Sequence, residues 1–139
     1  MNKPTPSPTE KAIESMLSEW KRSMLTFWTL GLLLTRPMYG LEIRKEIETS
    51  TQGKIRLGSS TIYQLLRRLE KHGLVVSRWE STTQGPPRAY YEVTQAGIEV
   101  IFRFSTDILS PSSPIATALG SLTAQIFQKL YAFKNQSGN

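Results

Sequence analysis

Apolar residues recur at helical spacing in the N-terminal part of the chain. Their spacing predicts a first helix over residues 9–22, capped at Thr9, with this apolar face: Ile13, Met16, Leu17 and Trp20. The mainly apolar run from Met24 to Leu34 predicts a second, buried helix that stops before Pro37. This run is shorter than the roughly 20 residues that span a bilayer, so we expect no membrane partner.

The next two segments predict a helix-turn-helix. Residues 41–49 mix apolar and charged side chains, as a half-exposed amphipathic helix does, and residues 50–58 form a polar loop that contains glycine. A second helix is expected from Ser59, whose hydroxyl would cap it, to about His72, just before Gly73. Four residues at i, i+3, i+4 and i+7 predict its buried face: Ile62, Leu65, Leu66 and Leu69.

Two short β-forming stretches follow, over residues 74–80 and 89–93. The segment between them, residues 81–87, is rich in Gly, Pro and Thr and predicts a turn. Three helices followed by a hairpin are the order of elements in a winged helix-turn-helix. The predicted fold class is therefore mainly α with a small β-hairpin wing, extended by helices at both ends.

The C-terminal region is predicted to be helical as well. Thr94 would cap a helix over residues 95–109, and the Ser/Pro-rich segment 110–114 would end it. A last helix over residues 115–133 carries an apolar stripe that predicts a dimerisation surface: Ile115, Leu119, Leu122, Ile126 and Phe133. The alternative is that this helix packs only on its own domain.

These patterns divide the chain of 139 residues into five segments. Residues 1–8, with three prolines, form a flexible tail, and residues 9–22 form the N-terminal helix. Residues 23–94 form the winged helix-turn-helix, and residues 95–134 form the C-terminal dimerisation region. Residues 135–139 are predicted to be a second flexible tail.

The positive charge is concentrated in one central segment. Between Lys54 and Arg88 there are seven basic and two acidic residues, whereas the remainder has ten basic and nine acidic ones. A surface that binds a polyanion needs such a concentration of cations. An ordinary solvated basic face would have the same composition, so charge alone leaves both interpretations open.

The exposed face of the second helix in the motif carries the side chains that contact DNA in helix-turn-helix proteins. Ser59, Ser60, Thr61 and Tyr63 are candidate phosphate contacts near its start. Gln64 and Arg67 are candidates for reading bases, because glutamine can pair bidentately with adenine and arginine with guanine. Arg68 and Lys71 are expected on the flanking backbone. The alternatives are that Tyr63 packs on the hairpin and that the arginines are merely solvated.

The hairpin would supply a second set of contacts, along the minor groove. The candidates in this wing are Arg78, Gln84, Gly85 and Arg88. The alternative is a surface hairpin with incidental charges.

Catalytic and metal sites find little support in the composition. The chain has no cysteine and one histidine, His72, so the common metal sites and a Cys–His pair are not expected, and we predict no cofactor. A site made only of carboxylates remains an alternative.

The N-terminus lacks a signal-peptide pattern, so a cytoplasmic protein is expected. The main rival to DNA binding is a winged-helix adaptor for other proteins.

Three blocks of residues resemble the PadR family of transcription regulators. They occur in the family's order and spacing: Pro37–Ile43, with Tyr39 and Gly40; Ser60–Val75; and Pro87–Gly97. The resemblance implies a winged-helix dimer, usually a repressor, that has Tyr63 and the Pro87-Arg88 wing near DNA and binds a palindromic operator. Ser60 and Gln64 depart from the family's frequent glycine and proline, so base preference is expected to be unusual.

The resemblance also suggests two finer points. The added N-terminal helix and short C-terminal helix resemble a clock-modifying cyanobacterial branch of the family, which implies repression of a circadian clock gene. Some family members bind aromatic or drug-like effectors near the dimer interface, and Trp20, Trp28 and Trp79 could line such a pocket. Buried tryptophans are more often core residues, and the short C-terminal region favours the absence of a ligand.

Overall fold

The computed structural model describes residues 2–138 and confirms a mainly helical winged helix-turn-helix. The elements in chain order are α1 (Pro8–Leu32), β1 (Met38–Tyr39), α2 (Gly40–Ser50), α3 (Ser59–Lys71), β2 (Val75–Glu80), β3 (Arg88–Val93), α4 (Gln95–Phe104) and α5 (Pro114–Ser137). A π-helical turn, Ser105–Leu109, continues α4. The described chain divides into two compact units between Ile98 and Glu99.

The two N-terminal helices predicted from the sequence are one continuous helix, α1. Its cap is Ser7 rather than Thr9: the Glu10 amide donates to Ser7 Oγ over 3.2 Å, and the Ser7 amide donates to Glu10 Oε2 over 2.8 Å. The expected tail therefore ends one residue earlier, with Pro8 inside the helix, and Met1 lies outside the described residues. The polar residues near Arg22 change the burial of the helix without breaking it, since none is proline or glycine.

A third strand joins the predicted hairpin. The sheet order is β1-β3-β2 and all pairs are antiparallel, with Met38 opposite Tyr91 and Val75 opposite Val93. The sequence did not reveal β1, because a strand of two residues is too short to show alternation. Because β1 pairs with β3 and is followed directly by α2, the start of α2 lies next to the hairpin.

The core of the first unit lies between α1, α2, α3 and the sheet. The four residues predicted for the buried face of α3 are all buried, and Leu30, Ile43 and Val75 complete the centre. Gly97 allows the start of α4 to pass close to the Leu74 carbonyl, where any Cβ would overlap it. The predicted cap at Thr94 is confirmed, because Thr94 Oγ1 accepts from the Gly97 amide and donates to the Gly73 carbonyl.

In the second unit, α5 runs further than expected. Ser113 Oγ accepts from the Ala116 amide over 2.9 Å and begins the helix, which continues to Ser137. The tail predicted over residues 135–139 is thus helical as far as Ser137, and Asn139 lies outside the described residues. No helix within residues 2–138 combines the length and the apolar character needed to cross a membrane.

Candidate nucleic-acid interface

The helix-turn-helix consists of α2, the connection over residues 51–58 and α3. Gln52 and Gly53 turn the chain with positive φ angles of 55° and 75°, and the Gly53 amide donates to the Glu48 carbonyl. The expected serine cap on α3 is wrong: Gly58 is the cap residue, and Ser59 Oγ instead accepts from Arg44 Nη1 over 2.8 Å. Arg44 thereby ties α2 to the first residue of α3.

The exposed face of α3 has a central stripe with a flank on each side. Ser60, Gln64, Arg67 and Lys71 follow one another at i, i+4, i+7 and i+11, and all are exposed. Tyr63 flanks this stripe on the side of the wing, and Thr61 and Arg68 flank it on the other. The eight residues proposed from the sequence therefore cover the solvent face of one helix.

An open groove of about 740 Å³ separates α3 from the wing. Ser60, Tyr63 and Arg67 line it from the helix, and Trp79 and Arg88 line it from the hairpin. The fold thus brings together residues of both predicted sets in one concave surface. Ser77 Oγ donates to Glu70 Oε1 over 2.6 Å and joins β2 to α3 at this groove.

The Tyr63 ring packs on the start of α2. A Cβ added to Gly40 would lie 2.8 Å from Tyr63 Cε1, so only glycine lets the ring approach this closely. This contact is made with α2, whereas the packing alternative for Tyr63 named the hairpin. The side chain remains 38% exposed, which leaves the phenol accessible from the groove.

The Arg88 side chain packs over an aromatic ring. Its guanidinium lies over the Tyr39 ring, 4.6 Å from the centroid, and Tyr39 in turn contacts Tyr90 edge to face at 5.6 Å. A cation over a ring face is attracted by the ring quadrupole and loses rotational freedom. The Arg88 charge therefore has a defined position in the wing, at the end of the hairpin next to the turn.

The remaining wing candidates differ in their surroundings. Arg78 is paired with Glu92 over 2.8 Å and with Glu80 over 3.9 Å, so two carboxylates oppose its charge. Gln84 and Gly85 lie exposed in the turn, where Gly85 adopts a φ of 107° and Thr82 Oγ1 donates to its carbonyl.

Ion pairing divides the arginines into two classes. Arg36, Arg44, Arg78 and Arg103 each have a carboxylate partner. Over residues 2–138, no ion pair is found for Arg22, Arg56, Arg67, Arg68 or Arg88. Cations without counter-charges carry the positive potential that an anionic ligand meets.

Two further residues bear on the electrostatics of the groove. Burial raises the pKa of the Tyr91 phenol, the Glu70 carboxylate and Tyr63 raise it further, and Arg67 lowers it. The phenol is therefore neutral near physiological pH, and Arg67 supplies the groove with positive charge. No cluster of three or more His, Cys, Asp or Glu side chains suited to a metal ion occurs in the described part of the chain.

A second groove, of about 500 Å³, lies between α3 and α1. Thr61, Gln64 and Arg68 line it from α3, and Lys21 and Arg22 face them from α1. Sequence reasoning missed these two α1 residues. Only the folded packing of α1 beside α3 shows that they are near the recognition helix.

The segment that contains this surface matches a known family. Residues 29–102, from the second half of α1 into α4, match the model of the transcriptional regulator PadR-like family. The chain belongs to this family. Residues 8–28 of α1 and all of α5 lie outside the matched segment.

The PadR-like chain is also similar to individual proteins. A curated relative from Lysinibacillus sphaericus, called uncharacterized protein X, is 32% identical over 68 residues, which are 49% of this chain and 62% of that protein. The match thus spans less than two thirds of the relative. A PadR family transcriptional regulator from Eggerthella lenta is 26% identical, with a TM-score of 0.60, over 88% of this chain and 95% of that one.

Two other solved structures show the same fold. Bacillus subtilis PadR in complex with operator DNA is 21% identical, with a TM-score of 0.54, over 58% of this chain and 45% of that one. The circadian clock associated protein Pex from Anabaena is 22% identical, with a TM-score of 0.53, over 60% and 73%. At these identities the likeness concerns the fold alone.

Proposed function

We propose that this PadR-like protein is a dimeric, sequence-specific DNA-binding repressor that acts on a palindromic operator. The observation that carries the proposal is the groove between α3 and the wing, where Arg67 and Arg88 face solvent without a carboxylate partner among the described residues. Operator binding of this kind takes place where the genome is, in the cytoplasm.

In the proposed complex, α3 enters the major groove with its central stripe toward the bases. Gln64 and Arg67 read base edges, and Lys71 with Arg68 contacts the flanking phosphates. The hydroxyls of Ser60, Thr61 and Tyr63 contact phosphate near the start of the helix. The Ser59 hydroxyl accepts from Arg44 and keeps its proton to donate to a phosphate. The fold that Bacillus subtilis PadR presents to operator DNA supports this arrangement.

The wing would lie over the minor groove beside the site. Arg88, already oriented by Tyr39, approaches the phosphates at least conformational cost, and Gln84 and Gly85 present the exposed turn. Arg78 is proposed as a weaker contact, because it would have to give up the Glu92 carboxylate to bind phosphate.

The dimer would form through apolar surface that a single chain leaves exposed. The α5 stripe is between 47% and 71% exposed: Ile115, Leu119, Leu122, Ile126 and Phe133. In α1, Leu17 and Trp20 belong to a second exposed stripe, which we propose as a separate contact with the second copy. A contiguous apolar face of this kind is typical of an interaction site, and a second copy offers the same face.

The narrower hypothesis of a circadian clock gene as target rests on the fold shared with Pex from Anabaena. Repression would follow if the bound dimer blocks the promoter.

The test is fluorescence anisotropy of the protein with a duplex from upstream of its own gene and a scrambled duplex, across a salt series. We expect a preference of ~10³-fold or more and an affinity that falls steeply as salt rises. Arg67→Ala should weaken the preference, and Arg88→Ala should weaken binding to both duplexes. Arg103→Ala, which removes an arginine paired with Asp107, is the matched control. Absence of binding even at low salt would overturn the proposal in favour of a protein adaptor.

A further inference from the structure

The groove between α1 and α3 has a buried floor and a polar rim. Leu25, Leu57 and Leu65 form the floor, and each is at most 9% exposed. Leu25 of α1 and Leu65 of α3 both belong to the buried core of the first unit, and close packing of that core limits how far either helix can shift. Residues on this side of α1 therefore hold a defined position beside the recognition helix.

The rim of this groove collects cations. Lys21 is half-buried and Arg22 is exposed on α1, and Arg68 lies across from them on α3. None of the three forms an ion pair with another described residue, whereas four other arginines of the chain do. Glu14, at the far end, is the acidic side chain among the residues that line the groove. Like charges held together without counter-ions repel one another, and an anion placed between them removes that repulsion.

A groove with at least one arginine that forms no ion pair among the described residues therefore lies on each side of α3. Arg67 of the central stripe faces the wing across one groove, and Arg68 faces α1 across the other. A helix that enters the major groove has a phosphate backbone on each side, and the wing can reach only one of them. We propose that α1 is a further DNA-contacting element, in which Lys21 and Arg22 bind backbone phosphates on the side of α3 opposite the wing. The inference rests on the proposed function, since it needs α3 in the major groove.

Leu17 of the exposed apolar stripe of α1 lines this groove one turn before Lys21, but the other residues of the stripe do not. Ile13, Met16 and Trp20 lie on a different face of the helix from Arg22, so one face remains for a second copy while another meets DNA. Glu14 would oppose the DNA, because its carboxylate faces the same phosphates.

The experiment compares the double variant Lys21→Gln/Arg22→Gln with Lys45→Gln/Lys134→Gln, which removes the same net charge from α2 and α5. Operator affinity is measured over a salt series. Loss of two phosphate contacts should lower the slope of log K against log salt by about 2 per bound chain, while the control should leave the slope unchanged. Glu14→Gln should raise the affinity at low salt.

A phosphate scan then places the contact. Single methylphosphonate substitutions remove the charge of one phosphate at a time, and the wild-type protein should lose affinity on both sides of the major groove. In the variant Lys21→Gln/Arg22→Gln, methylphosphonates on the side of α3 opposite the wing should no longer lower the affinity. Those beside the wing should still lower it. Operator binding with an unchanged slope and scan would overturn this inference alone, whereas loss of all binding by the wild-type protein would overturn the proposed function itself. Dissociation of the DNA-free dimer by the same variant would assign the groove to a second copy instead.

Discussion

Arg88 shows how the position of one side chain depends on residues far from it in sequence. The sequence placed this arginine in the wing, but its partner is Tyr39, which reaches it because β1 pairs with β3. Tyr63 is similar, since its ring is positioned by Gly40 at the start of α2. The Tyr-Gly pair in the first recognisable block thus supports both halves of the proposed DNA-binding surface.

Replacement of Tyr39 tests whether the ring orients Arg88. Tyr39→Phe retains the ring and should bind the operator as the wild type does. Tyr39→Leu should lose about 2–5-fold in affinity, because a partly exposed cation–π contact contributes about 0.5–1 kcal/mol. Anisotropy titrations in wild-type and Arg88→Ala backgrounds measure the coupling. An equal loss in both backgrounds would show that Tyr39 acts independently of Arg88.

At the scale of elements, α1 is the instructive case. One continuous helix has two environments: its first half is exposed, and its second half buries Leu25, Thr29 and Leu30 in the core. The change in apolar pattern near Arg22 reflects where the core begins rather than where a helix ends. Hydrophobic periodicity indicates directly which residues are buried. It indicates secondary structure only indirectly, through the spacing of those buried residues.

A proline substitution distinguishes a continuous helix from two helices with a hinge. Ser23→Pro removes an interior backbone hydrogen bond and places the ring against the preceding turn, so it should lower the free energy of unfolding by about 3 kcal/mol or more. Thr9→Pro, in the first turn after Pro8, should change stability little. Urea unfolding followed by circular dichroism measures both. Equal stabilities of the two variants would indicate a break at Ser23.

At the scale of the whole molecule, the proposed dimer depends on apolar surface that one chain leaves exposed. Leu122→Glu/Ile126→Glu places charges in the exposed α5 stripe and should convert the dimer to a monomer, because burying unpaired carboxylates is unfavourable. The monomer should bind a half-site as the wild-type chain does but lose the added affinity for the full palindrome. Sedimentation velocity and anisotropy provide the two readouts.

The matched control is Thr117→Glu/Gln128→Glu, which adds the same charge on the opposite face of α5 and should remain dimeric. A monomer from both double variants would point to an effect on helix α5 itself. A dimer from both would exclude the apolar stripe as the interface.

Much of the molecule follows from local patterns. The amphipathic spacing of α3 predicted its four core residues and its solvent face correctly, because one strong periodicity leaves a single way to bury the helix. The hairpin was also predicted from local sequence, because β-forming stretches lie on either side of a turn-forming segment. The caps were harder: Ser59 was expected to cap α3, but a bond from Arg44, fifteen residues away, engages its hydroxyl.

The sequence by itself determined the helix-turn-helix, the wing and the concentration of positive charge, because each depends on residues close together along the chain. Only the tertiary structure decided which of those charges are free. It paired Arg78 with Glu92, left Arg67, Arg68 and Arg88 without a carboxylate partner among the described residues, and brought Lys21 and Arg22 beside α3. Charge pairing and groove formation depend on distances between elements, and those distances are set by the packing of the core rather than by any local pattern.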